Sequence, residues 1–379
     1  MDNALDIRII DIWSSLERWR GLEHNAVMSP YQYSAWILAW YNDTEQNLKS
    51  DRRVFAVEGW QEDNLVFILP LQITNVFGIK ICKWLGPKYQ NLNSGIFSKH
   101  WLTNQGDVNF SEVLSQIAEL HGDIDIFQLE KQPLEIGSLM NPLAGVGHKM
   151  LHPDPIYIAK IDSNFKNWEE SKRSKNSRKR LAKKRNALQR IVGSVTIQRV
   201  TSSAEVNNAF DTLFSQREQA RKTRALPNPV SEVSNLSALK EAAIDGLNSH
   251  NGLRVYTMNS SASVLAVNCF ITHDERASAI LSSMDENLAK FSVGRLIERD
   301  TLELLIIDRF SVVDFGLGDD RYKMEWAIRE RLYDNFVAST HVGHLARHML
   351  VASSFFKQMI KRPALVKKVI RFVKSRYRF

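Results

Sequence analysis

Cysteine is scarce. The chain of 379 residues has two, Cys82 and Cys269. Each sits in an apolar, strand-like run, Ile79-Lys-Ile-Cys82 and Val267-Asn-Cys-Phe270. That excludes a disulfide framework and predicts two buried free thiols in a reducing compartment. Histidine does not assemble either. Ten are scattered, and the close set His341, His344 and His348 lies on one helical face with no carboxylate motif beside it, so no metal site is expected. Long hydrophobic runs are missing. No stretch of about 18 uninterrupted apolar residues exists, which excludes a membrane-spanning helix. The start, Met1-Asp-Asn-Ala-Leu-Asp6, lacks the basic and apolar segments of a secretory signal, so the cytoplasm is expected. No spacing supports a Ser-His-Asp or Cys-His arrangement, and covalent catalysis is not expected.

Acid is missing from two stretches. Residues 171–200 hold eleven Lys and Arg and no Asp or Glu, and residues 357–379 hold nine and again no acid. Outside them, 30 basic residues face 42 acidic ones, so a formal charge of +8 conceals a body near −12. Confined charge implies local anionic contacts, not a surface that coats nucleic acid. Residues 171–190 read as a helix anchored by Leu181, Leu188 and Ile191. The charge is either a solvated face or a grip on phosphates, with Arg178 and Arg180 as candidate substrate contacts. No aromatic side chain interrupts 172–190, so base stacking on single-stranded nucleic acid is unsupported. In the tail, Leu365, Val366, Val369, Ile370, Val373 and Tyr377 share one face of a helix, with Lys367, Lys368, Arg371, Lys374 and Arg378 largely opposite. Such a helix suits an anionic membrane surface, or it packs on the protein's own acidic body.

What is present is an α/β pattern in two copies. Hydrophobic content of 44% and charged content of 24% mark a globular chain, and the length suggests two domains. Alternating runs predict strands near 5–10, 53–60, 64–76, 79–85, 124–129 and 157–161, with helices near 14–23, 31–41 and 108–121. A second series follows: strand 195–200, helices 204–222 and 233–247, then strands 253–258, 263–272 and 277–284. The similar order suggests a duplicated domain. We expect a first domain at 1–162, degenerate or acceptor-binding, and a basic helical linker at 163–192. A second domain at 193–345 would carry the site, and 346–379 would form the basic tail.

The most informative segment is Ser311-Val-Val-Asp-Phe-Gly-Leu-Gly-Asp-Asp-Arg-Tyr-Lys323. A strand runs into Asp314, Gly316 and Gly318 turn the chain, and Tyr322-Lys323 follow. Glycine fits where φ must be positive or where backbone approaches a ligand. An ordinary turn with Asp319 and Asp320 solvated is the plainer alternative. Upstream, strand 277–284 leads through Asp285 and the loop Phe291-Ser-Val-Gly-Arg295 into a helix reaching about residue 308. Free N–H groups at such a helix start favour an anion, and Ser292 could be its N-cap.

In this order the segments resemble the CelD-type branch of the GNAT (Gcn5-related N-acetyltransferase) superfamily, found with cellulose and exopolysaccharide genes. The branch shows Asp-Phe-Gly-x-Gly-Asp-x-x-Tyr-Lys, matched here by Asp314, Phe315, Gly316, Gly318, Asp319, Tyr322 and Lys323. The resemblance covers roughly 170–330, and the chain also looks like Fem-type proteins, which pair two GNAT-like domains. GNAT enzymes usually present Arg/Gln-x-x-Gly-x-Gly/Ala to the donor; Lys290-Phe-Ser-Val-Gly294 keeps only part of that. The resemblance implies tandem GNAT-like domains of mixed α/β sheets. It implies transfer of an acyl group, acetyl first, from acyl-CoA to an amino group of a polysaccharide or cell-envelope precursor. Phe291, Ser292, Val293, Gly294 and Arg295 would hold the donor pyrophosphate. Asp314 or Asp285 would take the amine's proton, Tyr322 would protonate the thiolate, and Lys323 would stabilise the oxyanion or a substrate phosphate. Gly316, Gly318 and Asp319 would face the substrate. Alternatives are Fem-type transfer from aminoacyl-tRNA, with 171–190 as the RNA contact, or a non-catalytic adaptor whose tail docks on membrane.

The tail generates a test. Removing residues 357–379 should release the protein from anionic liposomes, and binding by the full chain should fall steeply as salt shortens the Debye length to about 8 Å. A truncated chain that still sediments with anionic liposomes would place the contact elsewhere.

Overall fold

Two units, each built on its own sheet, make up the chain. The computed structural model describes residues 5–45, 53–86, 90–104, 108–224 and 236–361. The tail helix expected beyond residue 361 lies outside them. One unit comprises residues 1–29, 50–155 and 331–379, the other residues 30–49 and 156–330. The units depart from the linear boundaries at three places. Helix Ser34–Glu45 and strand Ile156–Lys160 belong to the second unit, and strand Tyr333–Ala338 belongs to the first. Alternation in a sequence identifies a strand but not the sheet that takes it, which is why these exchanges were hidden.

The first unit is built on a nine-stranded sheet. Its main path runs Leu5–Asp11, Arg53–Gln61, Asn64–Val76, Ile79–Trp84, Ile126–Gln132, Tyr333–Ala338 and His148–Leu151. All joins on that path are antiparallel except the short parallel one between Ile79–Trp84 and Ile126–Gln132. Helix Phe110–His121 carries its apolar positions Phe110, Val113, Leu114 and Ile117 on one face, buried. Asn109 caps its start, and Gly122 ends it with φ 68°. An aromatic cluster of Phe67, Phe97, Trp101 and Phe110 fills the space, with Phe67 to Phe110 centroids 5.4 Å apart.

The second unit is built on a seven-stranded sheet in the order Thr196–Arg199, Gly252–Asn259, Val264–His273, Arg276–Met284, Val312–Leu317, Ile156–Lys160 and Ile328–Glu330. Again every join is antiparallel but one, the parallel join of Arg276–Met284 to Val312–Leu317. Both sheets therefore place their single parallel join between the fourth and fifth strands of the path. Helix Val293–Ile307 turns Val293, Leu296, Ile297, Leu302 and Leu305 into the core. The predicted long basic helix is two helices, Phe165–Lys172 and Lys175–Val192, broken at an extended, buried Arg173. Ser174 caps the second helix, and only Leu181 and Leu188 of its residues are buried.

Cys82 and Cys269 are both free and buried, and burial raises both thiols, Cys269 to about 12. Among the described residues no helix is long and apolar enough to cross a membrane, and no group of three potential metal ligands stands together. Phe67 is completely buried in the aromatic cluster. Phe67→Ala should therefore lower unfolding free energy by about 3–5 kcal/mol in urea titration.

Candidate functional site in the second unit

The site begins where two strands part. Arg276–Met284 and Val312–Leu317 pair over Arg276↔Val312, Ala277↔Val313 and Ser278↔Asp314, and the pairing ends there. Beyond it, the pairing of Arg276–Met284 with Val264–His273 shifts register: Phe270 faces Ala279, Cys269 faces Leu281, and Ile280 is the extra residue. A bulge removes backbone groups from the ladder and re-aims them. Tyr31, buried in the segment before helix Ser34–Glu45, donates its hydroxyl to the Ala279 carbonyl at 3.1 Å, beside the bulge.

The chain reaches the next helix by a route the sequence did not disclose. Asp285 caps a 3-10 turn, Glu286–Phe291, by accepting from the Asn287 N–H at 2.9 Å. Ser292 then takes φ 59° and ψ 42°, a left-handed conformation uncommon outside glycine. Its side chain makes no capping bond, so the expected N-cap role is corrected. The helix Val293–Ile307 starts immediately, and Gly294 lies in its first turn. Its carbonyl contacts begin with Arg295 and Leu296, both donating to Ser292. The N–H groups of Val293 and Gly294 are the orphan donors of this start. A Cβ on Gly294 would press on the Met284 sulfur at 3.3 Å. Phe291 and Val293 are buried and serve the core.

Arg295 joins this helix to the signature turn. Its guanidinium forms an ion pair with Glu325 and lies 3.8 Å from Glu298. The Trp326 indole N–H donates to Glu298. Trp326 stacks on Trp168 with centroids 5.1 Å apart, and Arg173 lies over the Trp326 ring. Arg173 also approaches Glu325 at 3.4 Å and Glu169 at 3.1 Å. Burial pushes the Glu298 carboxyl up to about 7, against the pull of Arg295 and the indole hydrogen bond. Sequence reasoning passed over Glu298, Glu325, Trp326 and Arg173. One signal was readable: Glu298 follows Arg295 by three residues, on one helix face.

The signature residues are placed as follows. Asp314 is buried, accepts from the Gly316 N–H at 2.7 Å and lies 3.4 Å from the Ser278 hydroxyl. Burial raises it to about 6. Gly316 and Gly318 both have positive φ, 76° and 98°. Lys323 is buried, and its ammonium donates to the carbonyls of Gly316, Leu317 and Gly318 and pairs with Asp320 at 3.1 Å. It fixes the turn. Tyr322 is half-buried, and burial, then Glu298 and Asp320, raise its phenol. Asp319 is exposed and accepts from the Tyr157 hydroxyl at 2.7 Å. Arg178 pairs with Glu170, and Arg180 is exposed. The basic helix packs Leu181 and Leu188 in one apolar cluster with Phe291, and Lys184 donates to the Lys290 carbonyl at 2.6 Å.

The corresponding parting of strands in the first unit is filled. Pairing of Ile79–Trp84 with Ile126–Gln132 covers Ile81↔Ile126 to Lys83↔Gln128 and then stops. There the chain's own buried Gln90, Asn93 and Ser94 sit beside the second strand. Asn93 donates to the Lys131 carbonyl at 3.0 Å and to the Glu130 carbonyl at 3.1 Å, and the Lys131 ammonium donates to the Gln90 carbonyl.

Comparison with known proteins agrees with this geometry. Residues 175–324 match the acetyltransferase (GNAT) domain family. This match marks the chain as a transferase enzyme. FemX aligns over 89% of this chain and 99% of its own, with a TM-score of 0.57 at 10% identity. The C-terminal domain of a provisionally assigned lysylphosphatidylglycerol synthetase from Agrobacterium fabrum aligns over 89% and 95%, at 0.53 and 10% identity. A conserved protein of unknown function from Bacteroides thetaiotaomicron aligns over 87% and 99%, at 0.52 and 9% identity. At such identities these likenesses show the fold, which is the expected mixed α/β fold of GNAT-like units. No curated protein sequence matches the chain.

Asp314 yields a pH test. Its native carboxyl holds a proton more tightly than the ordinary value of 3.8, at about 6. The stability it contributes is therefore full below pH 4 and lost as pH rises through 6. A displacement of that size is worth on the order of 3 kcal/mol. Asp314→Asn keeps an acceptor for Gly316 and cannot ionise. Relative to wild type, the variant should gain stability by that order between pH 4 and 7.5 in urea unfolding; a constant difference would contradict the assignment.

Proposed function

We propose that the second unit transfers an acyl group, acetyl first, from acyl-CoA to an amino group of a polysaccharide or cell-envelope precursor. The observation that carries this reading is the parting of strands Arg276–Met284 and Val312–Leu317, followed by the Val293–Ile307 helix start within a GNAT family match. The donor's pyrophosphate would lie on the Val293 and Gly294 N–H groups at the positive end of that helix. Its pantetheine arm would enter between the parted strands, and the bulge at Ile280 would turn a backbone N–H toward the acyl oxygen. The amine forms the new N–C bond, the C–S bond breaks, and the sulfur takes a proton from Tyr322. Lys323 contributes by holding the 316–318 carbonyls in place, a positioning role in place of the oxyanion role expected from resemblance. Asp285 and Asp314 are each engaged by a backbone N–H, which leaves them poorly suited as the base. The polysaccharide context rests on the CelD-type signature Asp314 to Lys323 and on nothing else.

A second reading, aminoacyl transfer from tRNA, is favoured by the Lys184 contact. That bond joins a helix with eight Lys and Arg and no acid to the donor loop. The acetyltransferase match favours both readings over the adaptor.

Calorimetry with acetyl-CoA tests the choice. Wild type should bind it, and Gly294→Asp should weaken binding at least tenfold, because a carboxylate would enter the pyrophosphate's place. Equal affinities would reduce the loop to a helix cap. Absence of binding, together with binding of a charged tRNA, would select the second reading.

A further inference from the structure

One end of the first unit's sheet carries apolar side chains that its core does not use. Strands Asn64–Val76 and Ile79–Trp84 are joined there by the two-residue turn Phe77-Gly78, with Val76 opposite Ile79. Both turn residues have positive φ, 52° and 84°, as a type I′ turn requires. The Asn75 side-chain oxygen accepts from the Gly78 N–H at 2.9 Å. Such a turn favours Asn before Gly, and a bulky side chain in the left-handed region is an outlier. Phe77 is nonetheless the residue present, and it is fully exposed. Neither turn geometry nor packing among the described residues accounts for a phenyl ring there. Backbone outliers held for no local gain mark functional surfaces.

Helix His341–Lys361 starts at the same end of the sheet, and Asp125 ties the two together. Its carboxylate accepts from the Lys80 N–H at 2.8 Å and from the Thr340 hydroxyl at 2.7 Å, and its carbonyl accepts from the Ser339 N–H at 2.8 Å. Lys80 follows Phe77 by three residues, roughly 10 Å of strand. The helix passes so close to the Asp125 carbonyl that a Cβ on Gly343 would collide with it. That contact fixes the inward face, where Ala346, Leu350 and Val351 pack against Ile81, Ile126 and Phe336. The outward face is apolar as well. Val342, Leu345 and Met349 follow one another at i, i+3 and i+7 and are exposed, Leu345 by 71% and Met349 by 67%. His341, His344 and His348, also exposed, lie among them.

Charge decides what covers this surface. The last acid in the sequence is Asp334, and residues 335–379 hold none. They hold ten Lys and Arg, namely Arg347 and the nine of 357–379. The acids at the helix start are engaged, Asp125 as above and Asp123 by the Lys80 ammonium. A second copy would set like charge against like charge. The chain's own terminal residues would do the same, because the helix holds Arg347, Lys357 and Lys361 and no acid. Apolar side chains set among cations match anionic lipid, whose acyl boundary takes the former and whose headgroups take the latter.

We propose that this end of the first unit docks on an anionic bilayer surface. Phe77, Val342, Leu345 and Met349 enter the boundary of the acyl chains, and the cations of 335–379 hold the headgroups. The basic tail alone would supply attraction without insertion; the hairpin tip and the helix face supply the insertion. Nothing in this docking depends on the donor site of the second unit.

The test measures partition of the full chain onto vesicles of phosphatidylglycerol and phosphatidylcholine in equal parts. Phe77→Asn restores the favoured Asn-Gly turn, so its urea midpoint should equal or exceed that of wild type while its partition falls about tenfold. Leu345→Ser together with Met349→Ser should lose at least as much, with the tail intact. Cys82 and Cys269 are buried, so Met349→Cys offers one exposed thiol for an environment-sensitive fluorophore. Its emission should shift to the blue on these vesicles and stay unshifted on phosphatidylcholine alone. Wild-type partition by both substituted proteins overturns the proposal and leaves the contact to residues 357–379. Wild type that binds no vesicle, or binds phosphatidylcholine equally well, overturns it too. A wild-type dimer that either substitution converts to monomer in sedimentation velocity, without lipid binding, overturns it in favour of a second copy.

Discussion

Three residue pairs set the geometry of the second unit. Arg276–Met284 and Val312–Leu317 run parallel for Arg276↔Val312 to Ser278↔Asp314 and then separate. A longer join would seal the sheet and leave no room for a ligand at its middle. A shorter one would leave Val312–Leu317 held by the antiparallel pairing with Ile156–Lys160 alone. The exit from the join is enforced locally. The Ile280 bulge bends one strand. On the other, Gly316 takes φ 76° and turns its N–H onto Asp314. The Lys323 ammonium then gathers the three carbonyls that the turn exposes. A buried lysine is costly without partners, and here the backbone supplies them.

The first unit shows what happens when the same parting is not kept clear. Its parallel join also spans three pairs, yet the segment around Gln90–Ser94 is hydrogen-bonded to Glu130 and Lys131 just past it. The Gln90 amide N–H donates to the Leu85 carbonyl and Asn93 to the Glu130 carbonyl, which ties the segment to its neighbours. One topology thus gives two outcomes, depending on whether the chain after the fourth strand returns to the gap. In the second unit that chain forms the 3-10 turn Glu286–Phe291 and the helix instead.

Much of this was legible. Alternating runs located the strands 53–61, 64–76, 252–259 and 264–273 to within a residue or two, because half-buried antiparallel strands carry a period of two. The helix after Met284 and the turn at Gly316 and Gly318 followed from periodicity and glycine placement. What was not legible is long-range. Nothing in Ile156–Lys160 or Tyr333–Ala338 encodes which sheet receives it. The left-handed Ser292 was hidden because a serine before a helix ordinarily signals a cap. Glu298 was hidden because an acidic residue amid charged neighbours normally reads as a solvated helix face, and only Trp326 and the buried Arg173 turn that face inward.

The central claim is that the donor occupies the parted strands of the second unit and not those of the first. Amide hydrogen exchange with and without acetyl-CoA tests it most directly. The account predicts slowed exchange confined to residues 278–281, 292–296 and 314–318, with residues 81–86 and 90–104 unchanged. Protection arising in the first unit's segments, or none at 292–296, would contradict it.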